Sequence, residues 1–420
     1  MTARLRALVL SATTLLAACH AATVSTPPEV PPVLTALPRP LGAAEQAFVA
    51  ATNQFGPLLL ARVNAAAPRD NVFLSPLSAS MALGMAMNGA SGTTFDEMRA
   101  TLGFGALPRE QVLAASRDLL ALLRGLDATV ELRIANAIWY RDTFAPAIAP
   151  AFLAEARQYF DATAQGLDFT SPSAVQAINA WVRAGTNGRI PSIVDAIPPA
   201  MVMYLVNATY FKGFWRTPFD AARTAPAPFT TLDGARVSVP MMTRSGSMRA
   251  AQPDGRTVVE LGYGADAFAM TIVLPRAGES VNDLVASLTP AAWAALLERL
   301  GTAQVDLSLP RFALRWEAEL KTPLAAMGMP LAFAGGRADF TRLSPTQGRE
   351  LFLSTVKQKT AVDVDEAGTV AAAVTSVGVG VTSVPQRLEV RVDRPFVVAI
   401  RERLSGALLF LGKVVLPGQG

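Results

Sequence analysis

The chain carries one histidine and one cysteine, His20 and Cys19, side by side near its start. The body beyond them has neither residue type. A Ser-His-Asp triad, a Cys-His dyad, a zinc site of Cys and His ligands and an internal disulfide are therefore excluded there. Two placed carboxylates suffice for a glycosidase, so carboxylate-pair hydrolysis survives this filter. Ser354-Thr355-Val356-Lys357 has the Ser-x-x-Lys spacing of penicillin-binding enzymes. No Ser-Asp-Asn or Lys-Thr-Gly string accompanies it, and Leu351 to Val356 alternates like a strand rather than opening a helix, so no nucleophilic role is expected. Gly378-Val379-Gly380 lacks the third glycine and the following helix of a dinucleotide loop, and no phosphate-binding loop, metalloprotease helix or Ca²⁺ loop is present. The residues imply no cofactor and no metal.

From Ala367 to Gln386 the chain carries no charge at all. A β-branched stretch of this kind normally lies inside a sheet, and left exposed it invites strand pairing. It is too long for one ordinary strand. Read with period two, Thr369, Ala371, Ala373, Thr375, Val377, Val379 and Val381 share one face, all small or β-branched.

The elements that must position this segment follow from patterning. With 420 residues, 51% of them apolar and 17% charged, the chain can bury a sizeable core. The net charge is only +4, and two of the positive residues, Arg4 and Arg6, sit in an apolar leader, so nucleic acid is not an expected partner. That leader ends Leu16-Ala17-Ala18-Cys19, which resembles the lipobox of bacterial lipoproteins. The resemblance implies a signal peptide over 1–18, lipid on Cys19 and a membrane-anchored protein of the cell envelope, with His20 pointing to the outer membrane; an ordinary secretory signal is the alternative. Residues 19–41 are rich in proline and are expected to form a semi-rigid tether. A single domain is expected over 42–420. Helical patterns occur at 43–66, 76–89, 93–103 and 108–124, and again near 146–160, 172–184 and 281–299. Strand-like runs occur at 130–140, 200–211 and 266–274, and dominate from 304 onward. Early helices followed by strand-rich sequence point to an α+β class.

The domain resembles the serpins. The match lies in Asn71-Val72-Phe73-Leu74-Ser75-Pro76-Leu77-Ser78, in Ile178-Asn179-Ala180-Trp181-Val182 with Thr186-Asn187-Gly188-Arg189-Ile190, and in Val206-Asn207-Ala208-Thr209-Tyr210-Phe211-Lys212-Gly213-Phe214-Trp215. It is clearest in Val364-Asp365-Glu366-Ala367-Gly368-Thr369-Val370-Ala371-Ala372-Ala373, followed by Val392-Asp393-Arg394-Pro395-Phe396-Val397. The resemblance implies helices packed around a large mixed sheet with smaller sheets, and an exposed reactive-centre loop over about 367–386. It also implies a function without catalysis. A target serine protease attacks the loop and forms an acyl-enzyme, the freed strand enters the sheet, and the protease is distorted in a covalent complex. The protein is expected to act as a monomer.

By the same resemblance, Glu366, Gly368, Thr369, Ala371, Ala372 and Ala373 form the hinge. Thr382 and Ser383 flank the reactive bond, with Val381 and Thr382 as the competing pair. Ser75, Ser78, Asn207 and Gln358 make a shutter beneath the sheet, and Trp215 marks the breach where the loop enters. Gln358 stands where many serpins have a histidine, and a hydrogen bond from its amide to Asn207 is expected. Val370 stands where many relatives have Glu. Small uncharged residues around Thr382 suit an elastase-like protease rather than one with a carboxylate in its pocket. Two other readings stay open: a non-inhibitory serpin serving as a surface binding module, and a carboxylate-dependent hydrolase.

Overall fold

The computed structural model describes residues 31–369 and 387–418. Four helices come first: α1 (Ala43–Ala66), α2 (Pro76–Asn88), α3 (Gly92–Thr101) and α4 (Arg109–Gly125). α2 has no polar face, and every residue in it except Ala82 is buried. A helix apolar all round belongs inside a protein. Its start is fixed by Ser75, whose Oγ accepts the Ser78 N–H at 3.3 Å, and by Pro76, which needs no N–H partner in the first turn.

The first sheet has six strands. β2 (Val130–Arg141) and β4 (Met203–Phe214) pair antiparallel along their length, and β3 (Ala162–Leu167) runs parallel to β2 at one edge. At the other edge β10 (Phe312–Glu319) pairs antiparallel with β11 (Lys357–Val364). Between β11 and β4 lies β12, only Gly368–Thr369. The middle of β4 is buried on both faces because helices cover both. α2 packs on one side. On the other, Ala174, Ile178 and Val182 of α6 (Pro172–Gly185) form a core cluster with Ala137, Val206, Ala208 and Ala361. α5 (Pro150–Phe160) precedes β3 and packs on α4.

The second sheet has nine strands and is also mixed. Its path runs β1 (Val72–Leu74), β15 (Leu408–Val414), β14 (Phe396–Glu402), β8 (Phe268–Leu274), β7 (Thr257–Tyr263), β6 (Arg236–Ala251), β9 (Gly301–Pro310) and β13 (Leu388–Arg391), with β5 (Ala225–Thr230) paired to β6. β8, β14 and β15 are buried at every residue, which explains their largely apolar sequences, with Thr271, Arg401, Glu402 and Lys413 as the buried polar exceptions. The fold is therefore α+β, with helices around large mixed sheets.

Several elements differ from the sequence expectation. The helix expected over 281–299 is two, α7 (Val281–Ser287) and α8 (Pro290–Glu298), because Pro290 cannot continue a helix and Thr289 caps a new one by accepting the Ala292 N–H at 3.1 Å. A short helix, α9 (Lys321–Met327), interrupts the strand-rich region. Leu351 to Val356 forms no strand, since β11 begins only at Lys357. Ser354 and Lys357 form no dyad either: Ser354 is exposed, and the Lys357 ammonium pairs with Glu317 at 2.9 Å. The proline-rich stretch is not free of the body over 31–41. The Leu34 N–H donates to the Ala265 carbonyl at 2.8 Å, Arg216 donates to the Pro31 carbonyl at 2.8 Å, and Arg39 pairs with Glu45 of α1.

Candidate functional site

β11 ends at Val364 and the chain reverses through Asp365, Glu366 and Ala367 into β12. The reversal is built by local hydrogen bonds. Asp365 Oδ1 accepts the N–H groups of Ala367 at 2.9 Å and Gly368 at 3.2 Å, and the Asp365 N–H donates to the Gly368 carbonyl at 2.9 Å. Burial raises the Asp365 pKa against the pull of those two amides. Glu366 is buried too, and its Oε1 accepts from Thr224 Oγ1 and from Arg311, each at 2.6 Å. Desolvation pushes its carboxyl upward, but the two donors prevail and hold it below the usual range. The Glu366 contribution to stability is therefore complete at neutral pH and is lost as pH falls through that lowered value.

Trp215, just beyond β4, grips the reversal from the side. Its backbone N–H donates to the Ala367 carbonyl and its indole N–H to the Asp365 carbonyl, both at 2.8 Å. Gly368 then pairs with Phe214, and Thr369 pairs with Gly213 on one side and Val364 on the other. At Gly368 φ is +152°, and a Cβ built there would run into the Gly213 carbonyl and lie 2.7 Å from the Phe214 Cα, so only glycine fits. Thr369 is fully buried.

Among the described residues no ladder joins β4 directly to β11: β4 pairs with β12 and β2, and β11 with β12 and β10. Toward the start of β4 a cavity of about 590 Å³ is lined by Met203, Leu205 and Val206 of β4, by Lys357 of β11 and by Leu353 and Thr355 of the segment before it. A smaller cavity of about 40 Å³ continues it between Asn207 and Gln358. Small apolar residues entering such a gap would gain ladder hydrogen bonds and burial together.

Under the gap the structure brings Ser75, Ser78, Asn207 and Gln358 together, all buried. Ser78 Oγ donates to Asn207 Oδ1, which also accepts from Thr209 Oγ1 at 3.1 Å. The expected bond between Gln358 and Asn207 is not made. Gln358 instead clamps the backbone of Ser75, accepting its N–H at 3.1 Å and donating to its carbonyl at 3.0 Å. The reason is that Asn207 is already satisfied from the other side. Its Nδ2 donates to Asn136 Oδ1 at 2.8 Å, and Asn136 in turn donates to the Phe160 carbonyl at 2.7 Å. Asn136 was not legible as a site residue, because a lone Asn within the apolar run of β2 gives no signal of its partner. Tyr263, whose hydroxyl lies 2.8 Å from Thr369 Oγ1, was missed for the same reason.

Gln358→Ala leaves the N–H of Ser75 buried without a partner, while its carbonyl keeps the Ala79 N–H at 3.0 Å. An orphaned group of this kind costs about 1–3 kcal/mol. The midpoint of denaturant unfolding is expected to fall; an unchanged midpoint contradicts the clamp.

Ala371, Ala372, Ala373, Val381, Thr382, Ser383 and Cys19 lie outside the described residues.

A family model described as Serpin (serine protease inhibitor) matches residues 50–417. The chain belongs to the serpins. Among its curated relatives, Iripin-1 of the tick Ixodes ricinus is 34% identical over 374 residues, covering 87% of this chain and 93% of that protein. Human neuroserpin is 31% identical, covering 85% of this chain and 88% of its own length. Of solved structures, the thermophilic serpin tengpin in its native state superposes with a TM-score of 0.81 at 30% identity, covering 90% of this chain and 95% of tengpin. Human thyroxine-binding globulin in complex with its ligand gives the same TM-score at 28% identity, covering 90% of this chain and all of that one. This serpin is accordingly an inhibitor and not an enzyme, and acts on a serine protease by loop insertion.

These comparisons correct one expectation. Eight of the matching curated relatives come from tick, human, chicken, cattle, horseshoe crab and rat, and none of these eight is described as a lipoprotein. A bacterial lipoprotein-type member, anchored through Cys19 in a cell envelope, is not what they support. That expectation rested on four residues, Leu16 to Cys19, whereas the family match spans the folded body.

Proposed function

We propose that this serpin is an irreversible suicide-substrate inhibitor of an elastase-like serine protease. The observation that carries this reading is the hinge. Gly368 and Thr369 already occupy strand positions between β11 and β4, which no ladder joins directly among the described residues, and the residues that follow are small and uncharged. Glu366, Gly368, Thr369, Ala371, Ala372 and Ala373 serve as the hinge, Ser75, Ser78, Asn207 and Gln358 as the shutter, and Trp215 as the breach. The reactive bond joins Thr382 to Ser383, with Val381–Thr382 as the competitor. Threonine and valine side chains fill a shallow apolar specificity pocket. A trypsin-like pocket would be left with an unpaired buried carboxylate, which is unfavourable.

Incubation with an elastase is expected to give an SDS-resistant complex and a released peptide whose mass begins at Ser383. Trypsin is expected to give none. Clean cleavage by elastase without an adduct contradicts inhibition and favours a surface binding module. An adduct with trypsin alone contradicts the assignment of target class.

A further inference from the structure

Tyr263 ends β7 in the nine-stranded sheet, yet its side chain reaches the gap of the six-stranded one. It is fully buried, stacked on Trp215 with ring centroids 4.5 Å apart and edge-on to Phe211 at 5.1 Å. Gly213, the residue opposite Thr369 on β4, makes the space: a Cβ there would stand 2.9 Å from Tyr263 Cδ1. Among the described residues the Tyr263 hydroxyl has one hydrogen-bond partner, Thr369 Oγ1 at 2.8 Å. Burial raises the pKa of this phenol, so it stays neutral and able to donate.

We propose that Tyr263 is a positioning residue for loop insertion, holding the hinge threonine in its strand position before the bait bond is cut. A buried hydroxyl pair is costly to separate, because each member loses its partner without gaining water. Tyr263 belongs to the sheet that does not receive the strand, so it is a post that stays put while β4 and β11 part. Insertion then starts from two residues already in register and does not have to nucleate new pairing, which is the slow part of growing ordered structure from a free chain. Asp365, Glu366 and Trp215 fix the turn before the hinge; Tyr263 alone among the described contacts takes hold of the Thr369 side chain itself.

The inference rests on the inhibitory reading above, because its kinetic consequence is a race. After the acyl-enzyme forms, insertion competes with hydrolysis, and a slower start sends more molecules to the substrate branch. Tyr263→Phe keeps the ring and both aromatic contacts and removes only the hydroxyl. Thr369→Val keeps the shape of the hinge residue and removes the other half of the pair. Each single variant is expected to raise the ratio of cleaved inhibitor to trapped protease by about three- to tenfold, the scale of one buried hydrogen bond. The double variant is expected to match the singles rather than multiply them. Hydrogen exchange of the intact protein, which needs no protease, should show faster exchange in Tyr263→Phe confined to peptides containing Gly368 and Thr369. Unchanged exchange at the hinge, or multiplicative effects in the double variant, overturns the proposal. If the wild-type protein traps no protease at all, the inhibitory reading falls, and the exchange measurement alone decides the role of Tyr263.

Discussion

Thr369→Asp is expected to turn this serpin from an inhibitor into a substrate. Thr369 is fully buried between β11 and β4, against the Tyr263 hydroxyl and the Gly213 backbone. No cation among the described residues hydrogen-bonds or pairs with it there; Arg311, in the hinge network, is engaged by Glu366. A carboxylate at this position either is expelled or is buried unpaired, at a cost of several kcal/mol. With the hinge expelled from the sheet, insertion must begin by burying that carboxylate, which slows it by about a hundredfold or more. The bait bond is untouched, so cleavage should proceed at its normal rate while the SDS-resistant adduct disappears. Ala371→Asp, two positions further on the same face of an extended chain, is expected to do the same. A Thr369→Asp variant that traps protease at the wild-type ratio contradicts insertion from this hinge.

The second large effect concerns the sheet that stays fixed. Glu260 on β7 is buried and surrounded by cations. It pairs with Arg249 at 2.9 Å, with Arg403 at 3.2 Å and closely with Arg401, and accepts from Thr271 Oγ1 at 3.3 Å. The Arg401 side chain is 6% exposed and that of Glu260 only 2%. Burial lowers the Arg401 pKa, opposed chiefly by the neighbouring Glu260. Glu260→Ala removes the compensating charge and leaves a guanidinium group buried without it, which typically costs about 3–5 kcal/mol. The denaturation midpoint of the intact protein is expected to drop accordingly. Glu260→Gln, which keeps an acceptor, should lose less. Equal midpoints for wild type and Glu260→Ala contradict the charge assignment.

What the sequence reveals divides along a physical line. Local signals carry far: the cap at Ser75 with Pro76, the apolar period of α1 and the uncharged run after Gly368 are each readable within a few residues. The class follows from the order of such patterns, whereas the hinge follows from the resemblance to the serpins. Contacts between distant segments do not show in this way. Gln358 clamps Ser75 and leaves Asn207 alone because Asn136, on a different strand, occupies the remaining side of Asn207. Tyr263 meets Thr369 across two sheets. Strands β5 and β6 are not legible because Pro226, Pro228 and Pro240 and the many polar residues of β6 mask their alternation, although the two pair along β5. The lipobox-like string shows the opposite hazard. Four residues imply a compartment, and relatives matched over the whole body outweigh them.

The account depends on a sheet held one strand short of its most stable arrangement. Thermal melting of the intact protein beside protein nicked in the loop by a non-target protease tests this directly. The nicked form is expected to melt more than about 10 °C higher, because the freed strand fills the gap between β4 and β11 and adds several kcal/mol. Equal melting temperatures, with the nicked loop remaining outside the sheet, would contradict the account.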